Sequence, residues 1–181
     1  GHVESGLRSY NYFNPFPEEI TRILVFKLSD YYFCPGKWAL NNIKKYNGIK
    51  IDTKANTLYD SLQLALKRLD KVKVDVPKER YAVVTLHRFE NIFKKSQFNR
   101  IIKILEKISK EIKLLFILHK PTEKKLKEFG FYDKLNKRLE FRPRYDYFKF
   151  IKLIKNCEFL ISDGGSNQEE SSYFGIPCLL F

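Results

Sequence analysis

From Tyr81 to Phe181 short apolar runs alternate with segments of helical periodicity, and this alternation constrains the fold more than any other feature of the chain. Leu114-Leu115-Phe116-Ile117-Leu118 is apolar without interruption, as a strand covered on both faces of a parallel sheet must be. Ahead of it, Tyr81-Ala82-Val83-Val84-Thr85-Leu86 is a short β-rich run. Between the two, Phe98 to Ile112 sets Ile101, Leu105, Ile108 and Ile112 on one helical stripe. Leu139-Glu140-Phe141, a helix over Tyr147 to Lys155, Phe159-Leu160-Ile161, a helix beginning near Asn167 to Glu170, and Cys178 to Phe181 continue the series. Strands alternating with helices predict a doubly wound parallel α/β sheet.

An earlier zone precedes this one. Pro17, Glu18 and Glu19 suit a helix first turn, because proline has no amide to lose there and carboxylates meet the positive end of the helix dipole. That helix carries Leu24 to Leu28. A short strand at Tyr31-Tyr32-Phe33 follows, then helical apolar spacing over Trp38 to Tyr46 and Leu58 to Leu69. Lys67 to Arg80, charged and containing a proline, reads as a helix end and a linker between an earlier zone, residues 1–66, and a later one, 81–181. There is no internal repeat. The chain opens on Gly1, contains no methionine, and stops on the apolar run Pro177 to Phe181. We therefore expect a piece of a longer, two-domain protein.

Composition narrows the class. Hydrophobic residues at 44% and charged residues at 30% fit a globular protein. No apolar stretch reaches the roughly 18 residues that would span a bilayer. Cys34, Cys157 and Cys178 are odd in number and widely spaced, and read as buried free thiols in a reducing, cytoplasmic setting. The net charge of +13 would suit a polyanion. The lysines, however, are spread over many segments and interleaved with acids, as in Lys103 to Lys113, which reads as solvated helix faces rather than a nucleic-acid stripe. A phosphate-bearing small substrate would profit from the same field.

In an open α/β sheet ligands sit at the carboxyl ends of strands, and the residues there carry chemistry. Leu160-Ile161 runs into Ser162-Asp163-Gly164-Gly165-Ser166, and a helix follows. Glycines allow a tight turn and close approach, and free amides at a helix start favour a diphosphate. Glu170 lies about 7.5 Å further along a helix axis, which suits a ribose diol. A plain turn with a capping Asp fits the same spacing. After the Tyr81–Leu86 run come His87 and Arg88, two donors that suit a departing phosphate or an ordinary surface. His119, just past the next strand, has the same two readings. Near the start, Glu4 and Glu18 fit paired acid/base carboxylates for proton transfer at carbon, or ordinary helix-start charge.

Together these clusters resemble the UDP-N-acetylglucosamine 2-epimerase family. Its H-V-E-A-G-L-R pattern is His-Val-Glu-Ser-Gly-Leu-Arg at 2–8, followed by Pro-Phe-Pro-Glu-Glu at 15–19. Its G-N-T-x-x-D is similar to residues 55–60, its T-x-H-R-x-E-N to 85–91, and its D-S-G-G-x-Q-E-E to 163–170. The resemblance implies two Rossmann-like domains of glycosyltransferase-B type facing a cleft, with residues 1–66 the later part of the first, 67–80 the linker and 81–181 the UDP-binding domain. It implies C2 epimerisation of UDP-N-acetylglucosamine by elimination and re-addition of UDP, or a hydrolysing variant of it. Glu4 and Glu18 would be the acid/base carboxylates and His87 would assist the departing diphosphate. Arg88, Gly164, Gly165 and Ser166 would bind it, Glu170 would hold the ribose, and His119 matches a histidine tied in bacterial members to a second, regulatory UDP-sugar site.

The resemblance implies no metal, no cofactor, no nucleic-acid or membrane partner, and a homodimer of the complete protein. Activity of these 181 residues alone is not expected. The chain departs from the family pattern at Gly164, where the serine of D-S-G-G falls, with Ser166 two positions later. It departs also at Ala55 for glycine, at Thr21 for asparagine, and at His119-Lys120-Pro121-Thr122 for an H-P-N-P-like element. The readings that compete are a glycosyltransferase of the same fold, a relative that binds nucleotide without turnover, and a nucleic-acid-binding module.

Overall fold

The computed structural model describes residues 1–13 and 16–181; Pro15 of the Pro-Phe-Pro-Glu-Glu motif lies outside the described residues. The chain forms two compact units, Gly1–Ser61 and Leu62–Phe181.

The first unit carries a parallel three-stranded sheet in the order β1 (His2–Val3), β2 (Tyr31–Cys34), β3 (Ile49–Asp52), with helices α1 (Glu18–Leu28) and α2 (Lys37–Asn42). Phe26 of α1, Tyr32 and Cys34 of β2, Ala39 of α2 and Ile43 form its core. The Tyr32 hydroxyl is buried with them and donates to the Phe26 carbonyl (2.6 Å), with the Asn47 carbonyl 2.9 Å away. That satisfies a polar group whose burial would otherwise cost free energy. The expected strand at Tyr31–Phe33 runs one residue further. The helix expected over Trp38 to Tyr46 stops at Asn42, where Ile43 and Tyr46 close turns instead.

Helix α3 (Thr57–Leu66) begins in the first unit and ends in the second, where Leu62 and Ala65 are buried in the core. After it a 3-10 turn (Leu69–Lys71) leads into the proline-containing stretch. Leu69 is buried in the second unit, Val74 and Val76 pack beside it, and the Lys152 ammonium donates to the carbonyls of Leu69 (3.0 Å) and Val72 (2.8 Å).

The second unit is a five-stranded parallel sheet ordered β6 (Glu140–Pro143), β5 (Lys113–Leu118), β4 (Tyr81–Thr85), β7 (Leu160–Ser162), β8 (Cys178–Leu180). Between the strands lie α4 (Phe89–Ile92), α5 (Lys95–Ile108), α6 (Lys120–Glu128), α7 (Tyr132–Asn136), α8 (Tyr147–Lys155) and α9 (Gly165–Tyr173). Side chains alternate across a strand, and both alternating sets are apolar here. Ala82, Val84, Leu114 and Phe116 face a layer with Ile101, Ile102 and Leu105 of α5. Tyr81, Val83, Leu115 and Ile117 face another with Ile151, Leu153 and Ile154 of α8. Two covered faces are the reason the β5 run carries no polar residue between Leu114 and Leu118.

The chain moves outward from β4 through β5 to β6 on one side, and through β7 to β8 on the other. The order reverses between β4 and β7, and their carboxyl ends flank the crevice that such a switch point leaves open.

Candidate functional site

Asp163 follows β7 directly and is 1% exposed. Its carboxylate accepts from the His87 amide (3.0 and 3.1 Å), the Arg88 amide (2.9 Å) and the Asn91 side-chain amide (3.3 Å). Nδ1 of His87 stands 3.1 Å from Oδ1 of the same carboxylate. One buried acid thus ties the turn after β4 to the turn after β7. A ring that donates Nδ1–H to Asp163 keeps Nε2 for a ligand. The ring is partly exposed, so it is both held and reachable.

His119 follows β5 and stacks on His87, with ring centroids 5.0 Å apart and planes 17° from parallel. Its Nε2 is 3.3 Å from the Thr85 hydroxyl. Burial lowers its pKa, and the charges of His87 and Arg144 lower it further against an opposing pull from Asp163.

Gly164 precedes α9, and its amide donates to the Ser162 hydroxyl (3.0 Å). A Cβ at this position would lie 3.3 Å from Cε1 of His87 and 2.6 Å from Oδ1 of Asn167. Gly165 and Ser166 open α9 and are exposed; the helix starts two residues earlier than the sequence pattern predicted. The first-turn amides of a helix have no intrahelical acceptor and carry partial positive charge, and these lie beside His87 at the switch point. Arg88 precedes α4 and is exposed, with its backbone amide on Asp163.

Glu170, one turn along α9, is 3% exposed. Burial pushes its carboxyl up to about 7, against a favourable contact with the Tyr147 hydroxyl and with a smaller push from the Glu169 charge. The Asn167 amide is 3.5 Å from its Oε2. His87, Arg88, His119, Gly164, Gly165, Ser166 and Glu170 all fall at the carboxyl edge of the second sheet or in the first turns of the helix that leaves it.

Glu4 and Glu18 belong to the first unit. Glu4 follows β1 with a backbone φ of 56°, and accepts a hydrogen bond from the Thr57 hydroxyl. Glu18 lies in the first turn of α1; its side chain is exposed and pairs with Arg22 at 3.3 Å. The neighbouring Glu19 is wholly buried. It receives the Arg8 guanidinium and the amides of Ser9 (3.0 Å) and Tyr10 (3.3 Å). It thereby fixes the segment that follows the His-Val-Glu motif.

Residue-by-residue reading missed three roles. Asp163 anchors the second-unit site, Thr57 holds Glu4, and Glu19 rather than Glu18 makes the buried ion pair. The place of Asp163, the first acid after an apolar run and before two glycines, is the signal that could have found it. Nothing local in the sequence brings Thr57 to Glu4, which are 53 residues apart.

The description UDP-N-acetylglucosamine 2-epimerase matches this chain as a family over residues 1–181. The chain is 36% identical over 193 residues to the UDP-N-acetylglucosamine 2-epimerase of Methanococcus maripaludis, covering 99% of this chain and 52% of that protein. It is 36% identical over 197 residues to the enzyme of the same name from Methanocaldococcus jannaschii, covering 98% and 52%. Among solved structures, the Methanocaldococcus jannaschii UDP-GlcNAc 2-epimerase in complex with UDP-GlcNAc and UDP superposes with a TM-score of 0.82 at 33% identity, over 98% of this chain and 52% of that one. The chain therefore spans about half the length of the curated relatives it matches. Its parallel α/β units are of the glycosyltransferase-B type expected from the motifs, and the chain belongs to the UDP-N-acetylglucosamine 2-epimerase family.

Proposed function

We propose that the complete protein containing this chain interconverts UDP-N-acetylglucosamine and UDP-N-acetylmannosamine, or releases N-acetylmannosamine and UDP as a hydrolysing variant. The observation that carries this reading is the Asp163–His87 pair set against the Gly164–Gly165 turn at the switch point of the second sheet.

In the proposed reaction the C2 proton leaves to a carboxylate as the C1–O bond to UDP breaks, giving a glycal. A proton then returns to C2 from the opposite face and UDP re-adds at C1; in the hydrolysing variant water adds instead. Glu4 and Glu18 are the acid/base groups. Elimination concentrates charge on the departing diphosphate, where fixed amides and an imidazole lower the barrier most. Gly164, Gly165, Ser166 and Arg88 supply that environment with His87, and Glu170 takes the ribose diol. A UDP-sugar is thus the small-molecule partner. A homodimer is part of the same reading, on the family resemblance.

Cys34 and Cys157 are buried free thiols, which supports a reducing, cytoplasmic location. Among the described residues, no helix is long and apolar enough to cross a membrane.

The test is incubation of the complete protein with UDP-N-acetylglucosamine in deuterated water. Deuterium appearing at C2 together with the manno epimer supports the reading. Bound UDP-sugar with no exchange defeats it.

A further inference from the structure

We infer that Thr57 is a positioning residue for Glu4, setting which carboxylate oxygen is free to move the C2 proton; the inference rests on the epimerase reading above. The backbone first points Glu4 out of its strand. Glu4 takes a left-handed φ of 56°, a conformation that is strained for a side-chain-bearing residue and persists only where the surroundings enforce it. Here they do. The amide of Ser5 is bonded to the Phe33 carbonyl (2.9 Å) and Ser5 is fully buried. Gly6, at φ 88°, lies so close to α2 that a Cβ there would be 2.2 Å from the Ala39 carbonyl oxygen. The turn cannot relax without unpacking the unit.

Glu4 then faces a cavity of about 320 Å³ lined also by Phe33, Lys54, Asn56, Thr57 and Asp60. Across it, the Thr57 hydroxyl donates to Oε1. This occupies one carboxylate oxygen and leaves Oε2 as the one free to take or give a proton. Thr57 is the first residue of α3, so the acceptor also sits at the positive end of a ten-residue helix.

The capping of α3 does not fall to this hydroxyl. Asn56 caps α3, its Oδ1 accepting from the Leu58 amide (3.0 Å), and the Ser61 hydroxyl bonds the Thr57 carbonyl. Thr57 is exposed, so exchanging its hydroxyl for a methyl creates no buried void. The pairing therefore serves the orientation of Glu4 rather than the stability of the unit.

The experiment compares Thr57→Val and Thr57→Ser with the wild type in the complete protein. C2 deuterium exchange gives kcat and KM, and UDP affinity by calorimetry reports the integrity of the nucleotide site. Thr57→Val should lower kcat by roughly 10- to 100-fold, the scale of a misplaced catalytic group. KM and UDP affinity should stay within about twofold, because uniform binding is untouched. Thr57→Ser, which keeps the hydroxyl, should recover most of the rate. Undiminished kcat in Thr57→Val, a loss confined to KM or UDP affinity, or a serine variant as slow as the valine one overturns the assignment of Thr57. Absence of exchange in the wild type overturns the epimerase reading itself, and is seen before any variant is made.

Discussion

Asp163 holds His87 at both its backbone amide and its ring, with Oδ1 3.1 Å from Nδ1 and the carboxylate 3.0 Å from the amide nitrogen. The same acid takes the Arg88 amide and the Asn91 side chain, so Asp163→Ala would leave several donors without the acceptor they share, the buried Asn91 amide among them. An unsatisfied buried donor costs about 1–3 kcal/mol. We expect Asp163→Ala to lose on the order of 3 kcal/mol in urea unfolding followed by circular dichroism. Asp163→Asn, which keeps the shape but removes the charge and offers an amide to an amide, should lose less stability while still weakening UDP binding. An Asp163→Ala protein that unfolds at the wild-type urea concentration would refute the anchoring role.

Glu19 anchors the first unit in a different way. Burial by itself pushes its carboxyl up, but the Ser9 amide, the Arg8 guanidinium and the Tyr10 amide more than offset this, so its pKa is lowered below the ordinary value. A depressed folded-state pKa adds stability above the unfolded value of about 4.3, and that stability is lost as pH falls through the folded value. Glu19→Gln would also strand the Arg8 side chain, which is 9% exposed, and breaking a buried pair costs about 3–5 kcal/mol. The single tryptophan, Trp38, lies in this unit. Its fluorescence in urea should show Glu19→Gln much weakened at pH 7, with the gap to wild type closing in acid. A gap constant from pH 7 to pH 3 would contradict the linkage.

Glu170 gives the opposite sign. Its carboxyl is raised to about 7, first by burial and then by the Glu169 charge, against the Tyr147 hydroxyl. A raised folded-state pKa means stability is fully present below the unfolded value of about 4.3, declines as pH rises, and is lost through about 7. Glu170→Gln keeps the shape without the ionisation, so it should be more stable than wild type at pH 8 by roughly 1–3 kcal/mol and nearly equal at pH 4. If the ribose diol is its ligand, UDP affinity of the wild type should rise between pH 6 and 8 as the carboxylate forms, and that rise should vanish in Glu170→Gln. Calorimetry across this range checks both. A wild-type affinity flat in pH would separate Glu170 from the ribose.

Much of the second unit was legible because burial on both faces leaves a blunt signal. An unbroken apolar run such as Leu114–Leu118 and a stripe such as Ile101, Leu105 and Ile108 each admit one reading. Strand β1, two residues long, and β3, Ile-Lys-Ile-Asp with two exposed isoleucines, carry too little periodicity to stand out. Helices α4 and α7, four and five residues long, are too short to show a stripe. At the site, residue types at strand ends were readable, since the parallel topology fixes where ligands lie. Pairings across 76 or 53 residues, such as His87 with Asp163 and Thr57 with Glu4, are made by the packing of whole elements and leave no local trace.

Gly164 stands where the family pattern has serine, and the structure gives a local reason the exchange matters. A Cβ there would come within 2.6 Å of Asn167 Oδ1, the end of a flexible side chain, and 3.3 Å of the His87 ring. The backbone, at φ −104° and ψ 129°, is one that any residue adopts, so the obstacle is contact and not strain. Gly164→Ser should therefore push the Asn167 side chain off Glu170 and cost about 1 kcal/mol, in the range of a modestly overpacked site. In an Asn167→Ala background the same exchange should cost close to nothing, because its main clash is gone and only the closer approach to His87 remains. The double-mutant cycle read from urea unfolding should thus give a coupling of about 0.5–1 kcal/mol between positions 164 and 167. Additive effects would show instead that His87, not Asn167, is what keeps position 164 a glycine.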